Sequence, residues 1–314
     1  MISSILKRLS DPMNWYFVVL IISIPSGLFL SSDLAFLANN STFILGAIFF
    51  LGALKININD IKNVWNLKIG VIVFNVLMLI GLPVVVYLIA KIIVPDYALS
   101  LLILSVMPSG MATPLLASIV GGRESLAMVM TATTSLLAPF TIPVMIYWLA
   151  GVSVDVDFWQ IFFSIAEIIF IPFFLAWLIR KFLPNVIEKT KGSLGKISTF
   201  FLGLLMAGIV AQQSESIIES LISSEIFMSL IVVSVLMAFF YILGYLIYFK
   251  EQGEDRLTFT VSFANMNFTL AIFLAHKYFA SSEIVVPITL AVIPWFLFIV
   301  IFKYMTRKTI NTSY

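Results

Sequence analysis

Met107-Pro108-Ser109-Gly110-Met111-Ala112-Thr113-Pro114 lies in the middle of an uncharged run from Ala98 to Val120. Its two prolines and its glycine remove amide donors and disfavour continuous helix, which leaves backbone carbonyls and amides free inside an apolar segment. At membrane depth such backbone is tolerated only where protein buries it or where it lines a wet cavity. The stretch predicts a broken helix in a membrane protein. The competing reading is a proline kink whose freed groups are satisfied by neighbouring helices.

A second polar interruption sits in the C-terminal half, at Ser262, Asn265, Asn267 and Thr269. Ser262, Met266 and Thr269 follow the i, i+4, i+7 spacing of one helix face. Asparagines at that depth either join helices or hold a ligand. Two breaks in corresponding positions favour the ligand reading, because opposed half-helix ends and freed carbonyls at the midplane are how repeat transporters hold ions and anionic substrates. Ser109, Gly110 and the carbonyl of Pro108 are candidates for the first break, and Asn267 and Thr269 for the second.

Around the breaks the sequence divides into ten apolar runs, at about 15–30, 42–54, 67–94, 98–120, 124–150, 158–180, 195–212, 226–249, 256–280 and 283–304. The second is short and is expected to draw in Asn40, Ser41 and the residues up to Asn57. The chain of 314 residues is 61% hydrophobic and 11% charged, with a mean hydropathy of +1.10. A soluble domain is nearer half apolar and a quarter charged. Soluble enzymes and nucleic-acid binders are therefore excluded, and the bilayer is the first partner. The longest connection, about Lys181 to Lys196, leaves no room for a soluble domain. The fold class read from the chain is an all-α polytopic membrane protein with ten transmembrane helices, forming a single transporter domain over 1–314.

Five runs per half, an odd number, place the second half upside down relative to the first, as inverted repeats of about 1–151 and 152–314. Pro25 and Pro172, in the first run of each half, echo that arrangement. Basic residues test the orientation, because they collect on the cytoplasmic side. With the N-terminus inside, all of the 18 lysines and arginines except Lys91 and Lys277 fall on inner segments, from Lys7 and Arg8 through Lys62 and Lys250 to Arg307 and Lys308. The outer loops carry Asp155, Asp157, Glu215, Glu219 and Glu225. Both termini are expected in the cytoplasm, and the membrane is read as the cell (inner) membrane.

Glu167 stands alone as a carboxylate deep in a run, and intramembrane acids are functional candidates. Burial there would disfavour its charged form and suit proton exchange; an ion pair or a water-filled crevice is the alternative. Thr131, Thr133, Thr134 and Ser135 add hydroxyls to the fifth run. Such hydroxyls often bond only to their own helical turn, Thr131 being singled out below. The sequence has no H-E-x-x-H, G-x-S-x-G or Walker A motif, one histidine and no cysteine. It offers no catalytic residues and no organic cofactor.

The run Pro108 to Thr113, followed by Gly121-Gly122-Arg123, Thr131 to Pro139 and Pro143, resembles the bile acid:sodium symporter family. So do Leu243-Gly244-Tyr245, Asp255-Arg256, Thr260, Asn267, Leu270-Ala271, Tyr278-Phe279 and Pro287. The resemblance implies ten helices in two inverted five-helix repeats. Helices 1, 2, 6 and 7 would form a panel and helices 3–5 and 8–10 a core, in which broken helices 4 and 9 cross. It implies sodium ions beside the crossing and an organic anion carried between core and panel by alternating access. Thr113 and Thr131 keep hydroxyls where the family places sodium ligands, and Asn267 keeps the asparagine of the crossing.

Other positions depart from the family. Pro114 stands for an asparagine, Ala127 for a serine, Met266 and Met78 for glutamines, and Ser262 for the glutamate shared by both sodium sites. Sodium is a hard cation that needs several oxygens, and an unpaired buried charge is costly. Two-sodium coupling is therefore disfavoured. One weaker sodium site could be assembled from Thr113, Thr131, Ser262, Asn265 and freed carbonyls, with Asn75 as a substitute ligand one turn before Met78. The expected function is secondary transport of a small or amphipathic organic anion, bile-acid-like or a keto or carboxylic acid. Alternatives are a proton-coupled carrier working through Glu167, an uncoupled carrier of auxin-efflux type, and a non-transporting membrane sensor. The sequence assigns no oligomeric state.

Overall fold

The computed structural model describes residues 12–56, 64–151, 157–215, 217–218, 224–248, 251, 253–279 and 281–310. Asn57, Lys7, Arg8, Lys62, Lys250, Asp155 and Glu219, used above for the second run and for orientation, lie outside the described residues. The described chain is helical apart from one isolated β-bridge. Helices α1 (Pro12–Phe29), α2 (Ser41–Ala53), α3 (Lys68–Ile93), α4 (Ala98–Ser105), α5 (Thr113–Ile119) and α6 (Glu124–Ala150) form the first half. The second half contains α7 (Phe158–Phe182), α8 (Pro184–Gln212), α9 (Ser224–Ile247), α10 (Gly253–Ala264), α11 (Phe268–Leu274), α12 (Ser282–Leu290) and α13 (Val292–Ile310).

Among the described residues, six helices are long and apolar enough to cross a membrane, namely Lys68–Ile93, Glu124–Ala150, Phe158–Phe182, Gly192–Gln212, Ile226–Ile247 and Ser282–Thr306. A seventh is added if Ile21–Phe29 and Ser31–Asn39, bent by 105°, count as one span. Ile69, Ile72, Ile92 and Ile93 of α3 stay exposed. Uncharged exposed surface of that kind is unstable in water and satisfied by lipid. The chain is a multi-span membrane protein. Helix α2 keeps Ser41 but starts after Asn40, and its 13 residues reach only about 20 Å at 1.5 Å per residue.

The chain divides into two compact units, Met1–Lys55 with Ala166–Ile222, and Ile56–Ile165 with Ser223–Tyr314. In the first, α8 packs along α1. A Cβ on Gly27 would lie 2.6 Å from the Ala207 carbonyl oxygen, so the missing side chain is what lets the two backbones approach. Pro25 and Pro172 both sit inside helices. The stretch from Lys181 to Lys196, expected as a connection, is largely helix, because α8 already begins at Pro184. Proline in the first turn sacrifices no helical hydrogen bond. Ile187 and Leu194, two turns apart, are buried with Leu51, Leu54 and Ala176. Of the charges that mark this stretch as a loop, Lys181, Glu188 and Lys189 are exposed.

In the second unit α10 is clamped by aromatic rings. Phe74 packs against Phe259 and Phe263, with centroids 6.1 and 6.0 Å apart, and Tyr248 stacks on Phe259 at 4.1 Å. The Arg256 guanidinium lies 3.5 Å from the Tyr245 ring centroid and donates to the Tyr245 carbonyl at 2.9 Å. Helix α3 passes through a π-helical turn, Leu77–Gly81, that begins two residues after Asn75. Such turns widen a helix by one residue and recur at functional positions.

Candidate ion and substrate site at two crossing helix breaks

Both interruptions expected from the sequence lie in the second unit, between α4 and α5 and between α10 and α11. Ser109 and Met266 form an antiparallel bridge. On either side of it the Gly110 amide donates to the Asn265 carbonyl at 2.7 Å, and the Asn267 amide donates to the Pro108 carbonyl at 2.8 Å. These two reciprocal bonds satisfy four backbone groups that the breaks would otherwise leave bare in a buried place. The approach is close enough that a Cβ on Gly110 would sit 2.9 Å from the Met266 carbonyl oxygen. Only glycine fits there without moving backbone.

The second break is set by capping. The Asn267 side-chain carbonyl accepts from the Leu270 amide at 3.1 Å and from the Thr269 hydroxyl, which closes the start of α11. Asn265 turns the other way, its Nδ2 donating to the Thr113 hydroxyl. Thr113 thereby ties the first residue of α5 to the opposite break.

Helix α6 supplies the third wall. The Thr131 hydroxyl lies 3.4 Å from both the Ser109 hydroxyl and the Gly110 carbonyl, and Ser109 Oγ lies 3.1 Å from Thr113 Oγ1. Ser109, Thr113, Thr131, Asn265 and Asn267 are all buried. The result is a compact group of hydroxyl and carbonyl oxygens from three helical segments, with no charged side chain among them. Hard cations are bound by oxygen sets of this kind.

The structure thus brings together Pro108, Ser109, Gly110, Thr113, Thr131, Asn265, Asn267 and Thr269. Ser262 stands one turn before Asn265, fully buried, and its hydroxyl has no hydrogen-bond partner among the described residues. Asn267 Nδ2 and Ser135 Oγ are likewise buried and unpartnered. A buried polar group left unsatisfied costs about 1–3 kcal/mol, so such atoms cluster where a ligand or water completes them.

Asn75 is not joined to this group by any hydrogen bond. Its Nδ2 donates to the Val71 carbonyl at 2.7 Å and to the Thr133 hydroxyl at 3.0 Å, while its Oδ1 is buried without a partner. Glu167 is further from its expectation. It lies on the part of α7 belonging to the other unit, with an exposed side chain.

Thr134 is a residue at the breaks that sequence reasoning passed over as a self-bonded hydroxyl. It does bond its own turn, donating to the Met130 carbonyl at 2.7 Å, but it also accepts the Ser109 amide at 3.2 Å. It therefore holds the first break open from α6. The signal was present as Thr131, Thr134 and Ser135 at i, i+3, i+4 on one face. At the start of α6, the Arg123 amide donates to Thr258 Oγ1 at 2.7 Å and its guanidinium pairs with Asp255 at 2.9 Å. This fixes α6 against α10 and sets the register of the site.

The sequence profile described as "Sodium Bile acid symporter family" matches residues 42–220, a stretch that includes the first break, Thr113 and Thr131. The chain is similar to "Probable sodium/metabolite cotransporter BASS1, chloroplastic" of Oryza sativa subsp. japonica, with 26% identity over 211 residues, 66% of this chain and 50% of that protein. It is also similar to "Uncharacterized sodium-dependent transporter YocS" of Bacillus subtilis (strain 168), with 24% identity over 186 residues, 57% of this chain and 56% of that protein. The chain spans about half the length of the curated relatives it matches.

Proposed function

The chain belongs to the sodium bile acid symporter family, and from that premise we propose that it is a secondary transporter of small or amphipathic organic anions. Alternating access in two inverted five-helix repeats is the mechanism that suits it. Helices 3–5 and 8–10 would serve as the core that carries the crossing, and helices 1, 2, 6 and 7 as the panel. The division of the chain into two compact units supports that assignment. Sodium is the coupling ion in this reading, at one reduced site. The names of the relatives, a sodium/metabolite cotransporter and a sodium-dependent transporter, support it.

The observation that carries the proposal is the buried oxygen group at the crossing. The Gly110 carbonyl, Thr131, Ser109, Thr113 and the Asn265 carbonyl are linked in that order by contacts of 3.1–3.4 Å. Asn265 and Ser262 stand beside it, and Asn267 Nδ2, with Thr269 bonded to the same side chain, offers a donor for an anion. Pro108, Ser109 and Gly110 provide backbone at the crossing. Asn75, held by Thr133, belongs to a neighbouring polar spot and not to this set. The distribution of basic residues supports the cell membrane with both termini cytoplasmic.

Uptake into proteoliposomes tests the proposal. Radiolabelled taurocholate and pyruvate, offered separately, are expected to accumulate more under an inward sodium gradient than under an equal potassium gradient. Thr131→Val should remove the sodium advantage. Equal uptake in the two salts sinks sodium coupling; no uptake of either anion sinks the transporter reading in favour of a sensor.

A further inference from the structure

The segments that frame the crossing contain no ionisable carboxylate, amine, guanidine or imidazole. From Ile69 to Ala90, from Ala98 to Gly122, from Ser125 to Gly151 and from Leu257 to Ala275 the sequence has no Asp, Glu, Lys, Arg or His. The oxygens of Ser109, Thr113, Thr131, Gly110 and Asn265 are all neutral, and the buried unpartnered atoms in the same segments, Ser262 Oγ, Ser135 Oγ and Asn267 Nδ2, are neutral too. A cation placed among them is solvated by dipoles but keeps its full charge in a region of low dielectric. An organic carboxylate placed there meets the mirror-image difficulty.

Each ion removes the difficulty of the other. From this, and resting on the transporter reading above, we infer that the transported anion supplies the counter-charge for sodium, and that the two occupy the crossing together as a neutral pair. Sodium alone binds weakly because no charge fixed in these segments balances it, and the anion alone binds weakly for the same reason. By linkage, whatever factor the anion adds to sodium affinity, sodium adds to the affinity for the anion. Coupling then needs no carboxylate in the site, because the unpaired ion is the species that the core excludes. Ser262 is the position from which a fixed charge would act. It is fully buried with a free hydroxyl, one turn before the Asn265 carbonyl that faces Gly110 and Thr113.

The test is thermal unfolding of the purified full chain in detergent at pH 8, with sodium chloride replacing potassium chloride at fixed ionic strength, since a ligand of the folded state raises stability as it saturates. Wild-type protein is expected to show no saturable sodium-specific shift in the absence of an organic anion. Adding taurocholate below its micellar concentration, or pyruvate, should make a saturable sodium-specific shift appear, a strengthening of sodium binding by at least about tenfold over the anion-free protein. Ser262→Glu should acquire a saturable sodium shift with no anion present, whereas Ser262→Gln should not. Ser262→Asp replaces the glutamate variant if the longer side chain prevents folding.

A saturable sodium shift in anion-free wild type overturns the inference, as does failure of either folded acidic variant to gain one, or failure of both anions to strengthen sodium binding. Loss of liposome uptake with these binding results intact counts against the transporter reading instead.

Discussion

The two breaks that meet at the crossing reach the same open backbone by different chemistry. Between α4 and α5 seven residues, Val106 to Ala112, leave the helix, and the cause is in the backbone itself: a proline without a donor and a glycine without a Cβ. Between α10 and α11 only Asn265, Met266 and Asn267 do so, and neither proline nor glycine is involved. There the cause is a side chain, Asn267, which caps α11 and makes a new helix start more favourable than a continued one. A backbone break cannot be repaired by its surroundings, but a capped break lasts only while the cap does. The first should fail by steric obstruction and the second by loss of a single side-chain group.

Gly110→Ala is the most damaging change expected. The added Cβ meets the Met266 carbonyl oxygen at 2.9 Å and Asn265 at 3.3 Å, so the two strands must separate and both reciprocal bonds suffer. With buried donors left unmade at about 1–3 kcal/mol each, the loss is on the order of 3 kcal/mol. Denaturant or thermal unfolding in detergent should show it together with loss of uptake. A variant as stable as wild type would mean the breaks do not depend on that approach.

Asn267→Ala comes next, at about 1–2 kcal/mol for a lost cap. Asn267→Ser, which can still accept from an amide two or three residues on, should recover much of that stability. The distinction matters because an alanine effect without serine rescue would locate the loss in packing rather than capping, and would make the second break more like the first.

Thr131→Val is nearly isosteric and should cost stability by about 1 kcal/mol or less, since it removes long hydrogen bonds of 3.4 Å. Its expected effect lies elsewhere: sodium-dependent uptake should fall while potassium-medium uptake is unchanged. A large stability loss with sodium dependence preserved would assign Thr131 to structure alone.

Much of the crossing is legible in the sequence because its causes are local. Proline and glycine announce the first break, and a cluster of polar residues in an apolar run announces the second. What the sequence hides is orientation about a helix axis. Hydropathy reports that a segment lies among apolar surroundings, and those can be lipid or protein. Thr134 and Thr133 look alike on that measure, yet one holds the Ser109 amide and the other holds Asn75. The stretch from Pro184 to Lys196 carries too many charges to read as a span, and only the positions of Ile187 and Leu194 reveal it as helix.

Glu167 is the sharpest case of the same blindness, and it supplies the smallest expected effect. As a lone acid within an apolar run it reads as an enclosed proton carrier. In the structure its helix leaves the side chain exposed, in the unit that does not contain the breaks. The oxygen group at Ser109, Thr113 and Thr131 is assembled without it. Glu167→Gln should therefore leave the pH dependence of proteoliposome uptake unchanged, as well as the sodium advantage. A flattened pH profile in that variant would move coupling away from the crossing, and the neutral oxygens there would then be binding the substrate alone.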